Sequence, residues 1–443
     1  MNIKSKLVLE YFRWYNFFCG LLSYLKIRGI GKLGISSNIH YKSLYYISFF
    51  SKKKFVGLKS EVMRINEQAL KEKSKCKVGI IIYTTSMWSI EGLYRLLDDD
   101  PKYEPTIIVV PFSDSTESTY QETKQYFETN GYRLKAYNDV DFNLHFYDLY
   151  LYTNPYISTD IYANLLELQL NKLVAYVSYS YMLSDNIEKL NIPIYYLSWK
   201  FFCDSEFYKN VVETQSRINT SNMVFCGYPK MDGYYKCKTD KQVLNHKKKV
   251  IIYAPHQSVN RNIVRYATFE KNGWYLLYLA EKYKDRLFWI VKPHPLLRSH
   301  SVEAGIFQDE KGYDDYLERW LETNAALVIE NGDYFNLFHD SDAMITDSVS
   351  FLAEYQFTGK PLLMLDSGKQ KLNAFGESIR DILYKSKGND YGKIEEFILN
   401  VLDEKDPKAE ERQYFFQKYL SYTDGKQNFA CDNIYRLFKN ELQ

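Results

Sequence analysis

The chain has 443 residues, 46% hydrophobic and 25% charged, with a formal net charge of +2. That length suits two or three domains of roughly 150 residues, and that composition excludes an intrinsically disordered chain. Six cysteines (Cys19, Cys76, Cys203, Cys226, Cys237 and Cys431) fall without a CxxC pair or a Cys/His cluster, which argues against a zinc site or a disulfide framework and predicts reduced thiols in the cytoplasm; no metal ligand and no cofactor is assigned, and a metal requirement is not legible.

The small net charge conceals an asymmetry. Residues 1 to 60 carry eleven Lys and Arg against one acid, Glu10, so the remainder is mildly acidic. Leu7, Tyr11, Trp14, Phe18, Leu22 and Leu25 recur at steps of three and four, the spacing of one apolar, aromatic helix face. Residues 1 to 75 therefore read as a helical basic extension. It either packs on a protein surface or lies on a membrane, whose anionic face attracts such a segment. The uncharged run Trp14 to Leu25 is shorter than the roughly 20 apolar residues that span a bilayer. Glu10 and Arg13 interrupt any signal-peptide core. A nucleic-acid partner is not expected, because the basic cluster is confined to one amphipathic end.

From Lys77 the grammar changes to short apolar runs alternating with helical segments. Val78 to Tyr83 predicts a buried strand, Ile90 to Leu97 a helix and Thr106 to Val110 a second strand. A helix is expected around Ser115 to Glu128, and strands at Asp148 to Tyr152, Leu173 to Val177 and Met223 to Cys226. Such alternation predicts a Rossmann-like domain over residues 76 to 240. The polar, basic stretch Lys236 to Lys249 places a boundary there.

Residues 241 to 443 repeat the pattern. Strands are expected at Val250 to Tyr253, Leu287 to Val291 and Ala325 to Ile329, with helices at Thr268 to Tyr283, Tyr313 to Leu321 and Tyr334 to Phe338. Asp342 to Leu365 then reads as strand, polar turn, helix, turn and strand, and helices at Lys393 to Leu402 and Asn428 to Leu442 close the chain. The fold class is α/β, with two successive Rossmann-like domains expected to face a cleft where a nucleotide-linked substrate would bind.

Three polar turns follow predicted strands in the second half: His256 in APHQS, His294 in KPHP, and Thr346, Asp347 and Ser348 in TDSVS. In a parallel sheet their carboxyl ends share one rim. One histidine could take a proton from an attacking hydroxyl while the other, charged, faces a phosphate, and the residue types leave the assignment open. Lys292 and Arg298 flank His294 and could neutralise a diphosphate. Ser348 and Ser350 stand where a helix begins, suited to an anion. Asp347 is either a helix cap or a site carboxylate. Glu354 lies one turn beyond Ser350 and could accept hydrogen bonds from a ribose, or stand on the surface.

Several of these pieces together resemble the CDP-glycerol glycerophosphotransferase family, the teichoic-acid-polymerase-like enzymes. They are YTTSMWSIEGLYRLLDDDPKYEPTIIVVP (Tyr83 to Pro111), TNPY (Thr153 to Tyr156), CGYPKMD (Cys226 to Asp232), YAPHQS (Tyr253 to Ser258), KPHP (Lys292 to Pro295) and SDAMITDSVSFLAEYQFTGKPLLML (Ser341 to Leu365). The resemblance spans roughly residues 77 to 385. It implies a GT-B fold, a CDP-linked polyol donor held mainly by the C-terminal domain, and attack of an acceptor hydroxyl on the donor's phosphorus with release of CMP. It places His256 and His294 at the active site and the serines after Thr346 and Asp347 near the diphosphate. A lipid-linked or polymer acceptor would explain a membrane-bound N-terminal segment, on the inner face of the cell membrane. The turns APHQS and TDSVS depart from the family's usual PT-containing and TDYSS-like turns. The donor therefore stays open between glycerol and ribitol derivatives, and a GT-B glycosyltransferase using a nucleotide sugar for capsule or lipopolysaccharide is the alternative. Oligomeric state is not legible.

Overall fold

A computed structural model describes residue 60 and residues 62 to 443 except 112–116, 138, 140–145, 156–167, 169–171, 186–193, 196–197, 217–219, 238–247, 260–264, 331, 333 and 424. The expected membrane-binding segment, residues 1 to 60, thus lies outside the described residues apart from Ser60. Among the described residues no helix is long and apolar enough to cross a membrane.

The chain divides into two compact units. In the first, strands β1 (Cys76–Ile82), β2 (Tyr103–Val109), β3 (Leu134–Ala136), β4 (Leu149–Tyr152), β5 (Leu173–Val177), β6 (Lys200–Cys203) and β7 (Met223–Phe225) form one sheet in the order β3-β2-β1-β4-β5-β6-β7. Every pairing in it is parallel. Parallel strands need crossovers, so both faces are covered and the strands become apolar throughout. In β4 and β5 every residue is buried. Helices α1 (Glu91–Asp99), α2 (Glu117–Thr129), α3 (Glu206–Gln215) and α4 (Pro229–Lys236) follow strands of this series. Ser205 starts α3 by accepting the N–H groups of Phe207 at 3.0 Å and Tyr208 at 3.4 Å, which satisfies donors a helix start leaves open.

The second unit holds β8 (Lys249–Ala254), β9 (Leu287–Val291), β10 (Ala326–Val328), β11 (Ala343–Thr346), β12 (Leu362–Asp366) and β13 (Tyr384–Lys387) in the order β10-β9-β8-β11-β12-β13. These pairings are also all parallel. Its helices are α5 (Phe269–Lys282), α6 (Leu297–Glu303), α7 (Glu310–Glu322), α8 (Phe335–Asp340), α9 (Val349–Glu354), α10 (Ala374–Ile382), α11 (Tyr391–Leu402) and α12 (Ala409–Tyr419). Ile251, Trp289, Trp320, Ile345 and Ile398 belong to one buried cluster that joins the sheet to α7 and α11.

Chain order runs outward from β8 through β9 to β10, then restarts on the other side at β11 and continues to β12 and β13. The direction reverses between β8 and β11. Open α/β sheets bind ligands at such a reversal, beyond the carboxyl ends of the strands.

The units divide between Asp232 and Gly233, short of the polar stretch Lys236 to Lys249 where composition put the boundary. The closing helix α13 (Ala430–Leu442) sits in the first unit and not with the residues before it. The reason is local. Asp232 accepts the backbone N–H groups of Ala430 at 2.9 Å and Cys431 at 2.8 Å, and the Tyr422 hydroxyl at 2.9 Å. Cys431, Ile434, Phe438 and Leu442 then complete the apolar cluster that contains Ile80, Leu93 and Phe202. A buried carboxylate at the helix start and an apolar face beyond it fix the segment to the first sheet.

Candidate active site

Strands β9, β8 and β11 are neighbours, so the turns that follow them emerge side by side. This brings together His256, His294 and the Thr346, Asp347, Ser348 turn, as the sequence predicts. The rings of His256 and His294 lie 5.8 Å apart between centroids. Backbone bonds hold the turns in place: His294 N donates to Pro255 O at 3.1 Å and Lys292 N to Tyr253 O at 2.8 Å.

Asp347 is the centre of the arrangement. Its Oδ1 accepts the backbone N–H of His256 at 2.6 Å, and its Oδ2 accepts the N–H of Thr268 at 2.5 Å and the Thr268 hydroxyl at 2.8 Å. It is buried, and burial pushes its carboxyl up to about 6 against the pull of those donors. The carboxylate caps no helix; it ties the β8 turn and the start of α5 to the end of β11. Thr346 acts in the same way, its hydroxyl donating to Ala254 O at 2.7 Å while accepting the Ser348 N–H at 2.9 Å.

Both histidine rings are engaged on one side only. His256 Nδ1 accepts the Ser258 N–H at 3.1 Å and lies 2.9 Å from the Ser258 hydroxyl. His294 Nδ1 accepts the Leu296 N–H at 3.1 Å. Among the described residues neither Nε2 has a hydrogen-bond partner. Burial, then the neighbouring His294 and His300, pushes His256 down to about 3. Burial, then His300 and Lys292, pushes His294 down to about 4. Both rings are neutral at neutral pH, so the charged, phosphate-facing histidine envisaged from residue types alone is not what this environment favours.

A third ring enters that sequence reading passed over. His300 on α6 places Nδ1 3.0 Å from Gln257 O and acts electrostatically on both other histidines. Its only sequence signal is its position six residues after His294. Ser258 was equally silent, a serine in a turn. Among the described residues no group of His, Cys, Asp or Glu side chains is arranged to hold a metal ion.

The other expected residues divide. Ser348 precedes α9, but its side chain makes no cap bond, and both it and Ser350 remain half-buried. Lys292 is half-buried beside His294. Arg298 is committed elsewhere, paired with Asp314 and with Glu330 at 3.2 Å, which spends its charge on acids of its own surroundings. Glu354 is buried rather than on the surface, and it accepts the Tyr334 hydroxyl at 2.5 Å.

Solved structures share the fold. MnaA of S. aureus, in a co-structure with UDP, superposes with a TM-score of 0.55 at 17% identity, over 83% of this chain and 98% of that one. The UDP-GlcNAc 2-epimerase of Neisseria meningitidis bound to UDP-GlcNAc gives 0.54 at 16% identity, over 82% and 100%. The wall teichoic acid polymerase TagF, a histidine-to-asparagine variant soaked with CDPG, gives 0.54 at 15% identity, over 93% and 100%. At these identities the likeness carries the fold, and it is of the GT-B kind. No curated protein sequence matches the chain. The sequence model described as CDP-Glycerol:Poly(glycerophosphate) glycerophosphotransferase matches residues 186–437, more than half the chain and all of the histidine rim. The chain belongs to that family and is an enzyme of the CDP-glycerol glycerophosphotransferase type.

Proposed function

We propose that the enzyme moves a polyol phosphate, glycerol phosphate in the first instance, from a CDP-linked donor to an acceptor hydroxyl during synthesis of a bacterial surface polymer of the teichoic acid kind. The observation that carries this reading is the pair of neutral rings, His256 and His294, 5.8 Å apart where the second sheet reverses direction, each with Nε2 unpartnered among the described residues. Such a pair can engage the oxygens of one phosphate. The CDPG soaked into TagF supports the choice of donor.

In the reaction the acceptor oxygen bonds to the polyol-bearing phosphorus, the bond from that phosphorus to the CMP oxygen breaks, CMP leaves with the electron pair, and one proton is released. Ser348 and Ser350 take the donor's diphosphate, with Lys292 beside it, while Glu354, buried and bonded to Tyr334, supports the helix from beneath. Residues 1 to 60 hold the protein against the inner face of the membrane, where a lipid-linked or polymeric acceptor is presented.

Incubation of purified protein with CDP-glycerol and acceptor membranes should release CMP and extend the acceptor. No CMP from CDP-glycerol or CDP-ribitol, with UDP or GDP released from a nucleotide sugar instead, would move the assignment to a glycosyltransferase. The fold serves both.

A further inference from the structure

The hydrogen bonds around His256 can be ordered donor by donor. Ser258 Oγ accepts two backbone N–H groups, those of Tyr266 and Ala267, each at 3.0 Å. A hydroxyl has two lone pairs and one proton. With both lone pairs taken, the proton points to the remaining neighbour, His256 Nδ1 at 2.9 Å. The Ser258 N–H donates to the same nitrogen at 3.1 Å. Two donors converge on Nδ1, which therefore presents a lone pair, and the proton of the neutral ring is on Nε2. His294 repeats the pattern through the Leu296 N–H. His300 is the reverse: its Nδ1 faces a carbonyl oxygen, that of Gln257 at 3.0 Å, which can only accept.

Resting on the phosphotransfer reading above, we propose that Ser258 is a positioning residue that fixes His256 as an Nε2–H donor, so that His256 and His294 each offer an N–H to the donor's phosphate oxygens and neither removes the acceptor's proton. The two rings keep their protons throughout. The acceptor oxygen bonds to phosphorus, the bond to CMP breaks with its electron pair going to CMP, and the hydroxyl proton passes to a lone pair outside those two rings. Of the three rings, His300 alone has its Nδ1 against an acceptor, which leaves its lone pair on Nε2.

The groups that face His256 are His294 from the β9 turn, His300 from α6 and Asp347 from the end of β11, with the Tyr266 ring edge-on at 5.6 Å; His294 has Lys292 in addition. Protonating Nδ1 of His256 requires turning away the Ser258 hydroxyl. Loss of that hydroxyl should make the ring easier to charge.

The test is a long-range proton–nitrogen correlation spectrum of the full-length protein labelled with 15N-histidine, assigned with single His→Gln variants. At neutral pH His256 and His294 should show the proton on Nε2 and His300 on Nδ1; a proton on Nδ1 of His256, or a charged His256, overturns the inference. Ser258→Ala should raise the pH at which His256 titrates by roughly one unit and lower kcat for CMP release more than it changes KM for CDP-glycerol. Ser258→Thr, which keeps the hydroxyl, should restore both. An unchanged His256 titration in a folded Ser258→Ala protein overturns the role of Ser258; if that variant does not fold, the wild-type and Ser258→Thr spectra decide. The spectra need no turnover. Absence of CMP release would therefore sink the transferase reading alone, whereas an Nδ1–H His256 in a protein that releases CMP would sink this inference alone.

Discussion

The Asp347 carboxylate grips the backbone of His256, accepting its N–H at 2.6 Å while its other oxygen takes the N–H and hydroxyl of Thr268. The residue that looks most catalytic in the TDS turn is thereby a fastening for the turn that carries the histidine. Asp347→Ala would leave three buried donors without an acceptor, at about 1–3 kcal/mol each. Urea denaturation should show a loss of at least about 3 kcal/mol.

The same carboxyl has a pH signature. Its pKa is about 6 in the fold against an ordinary 3.8, so the native state binds its proton more tightly than the unfolded chain does. The stability this contributes is complete below about pH 4 and is lost as pH rises through about 6. Stability curves of wild type and Asp347→Asn should therefore diverge across that window, with the wild type alone losing stability from this group as pH rises.

The histidines have the opposite sign. Folding holds His256 at about 3 and His294 at about 4, below the ordinary 6.5. Their contribution is complete above pH 6.5 and is lost as pH falls through the folded values. Thermal melts should show the wild type weakening on acidification below 6.5, and His256→Gln weakening less.

His256→Ala and His294→Ala should each lower CMP release by roughly 10²–10³, the range seen when one donor to a developing charge is removed. Their melting temperatures should stay within a few degrees of wild type, which separates a lost donor from a lost fold.

Arg412, with 1% of its side chain exposed, donates through Nε at 3.1 Å and Nη2 at 2.9 Å to Gly359 O and pairs with Asp406. Gly359 is the left-handed turn that leads from α9 toward β12 (φ +68°). Arg412→Ala uncovers a carbonyl and a carboxylate together, and should cost about 3–5 kcal/mol in urea denaturation.

Much of this was legible in the chain because a parallel sheet buried on both faces writes its strands as apolar runs. Leu173–Val177 and Leu287–Val291 coincide with the runs that predict them. Tyr384–Lys387 has no such run, because an edge strand with alternate residues exposed can be polar, and YKSK carries no apolar signal. The helix Ala409–Tyr419 carries no apolar face in its sequence for a related reason: it buries an arginine beside Phe415. Within the site the strand ends announced His256, His294 and the TDS turn. What Ser258 and Asp347 do is hidden, because it depends on backbone N–H groups of residues 8 to 91 positions away. Nothing in local composition encodes such a pairing.

The return of α13 to the first unit has a consequence for the order in which the protein can be made. Residues Gly233–Ser421 of the second unit leave the ribosome before Ile434, Phe438 and Leu442, which close the core around Ile80 and Leu93. The half synthesised first is thus the half finished last. Until the last helix arrives, its sheet waits with an open apolar face, the kind of surface that chaperones hold during synthesis.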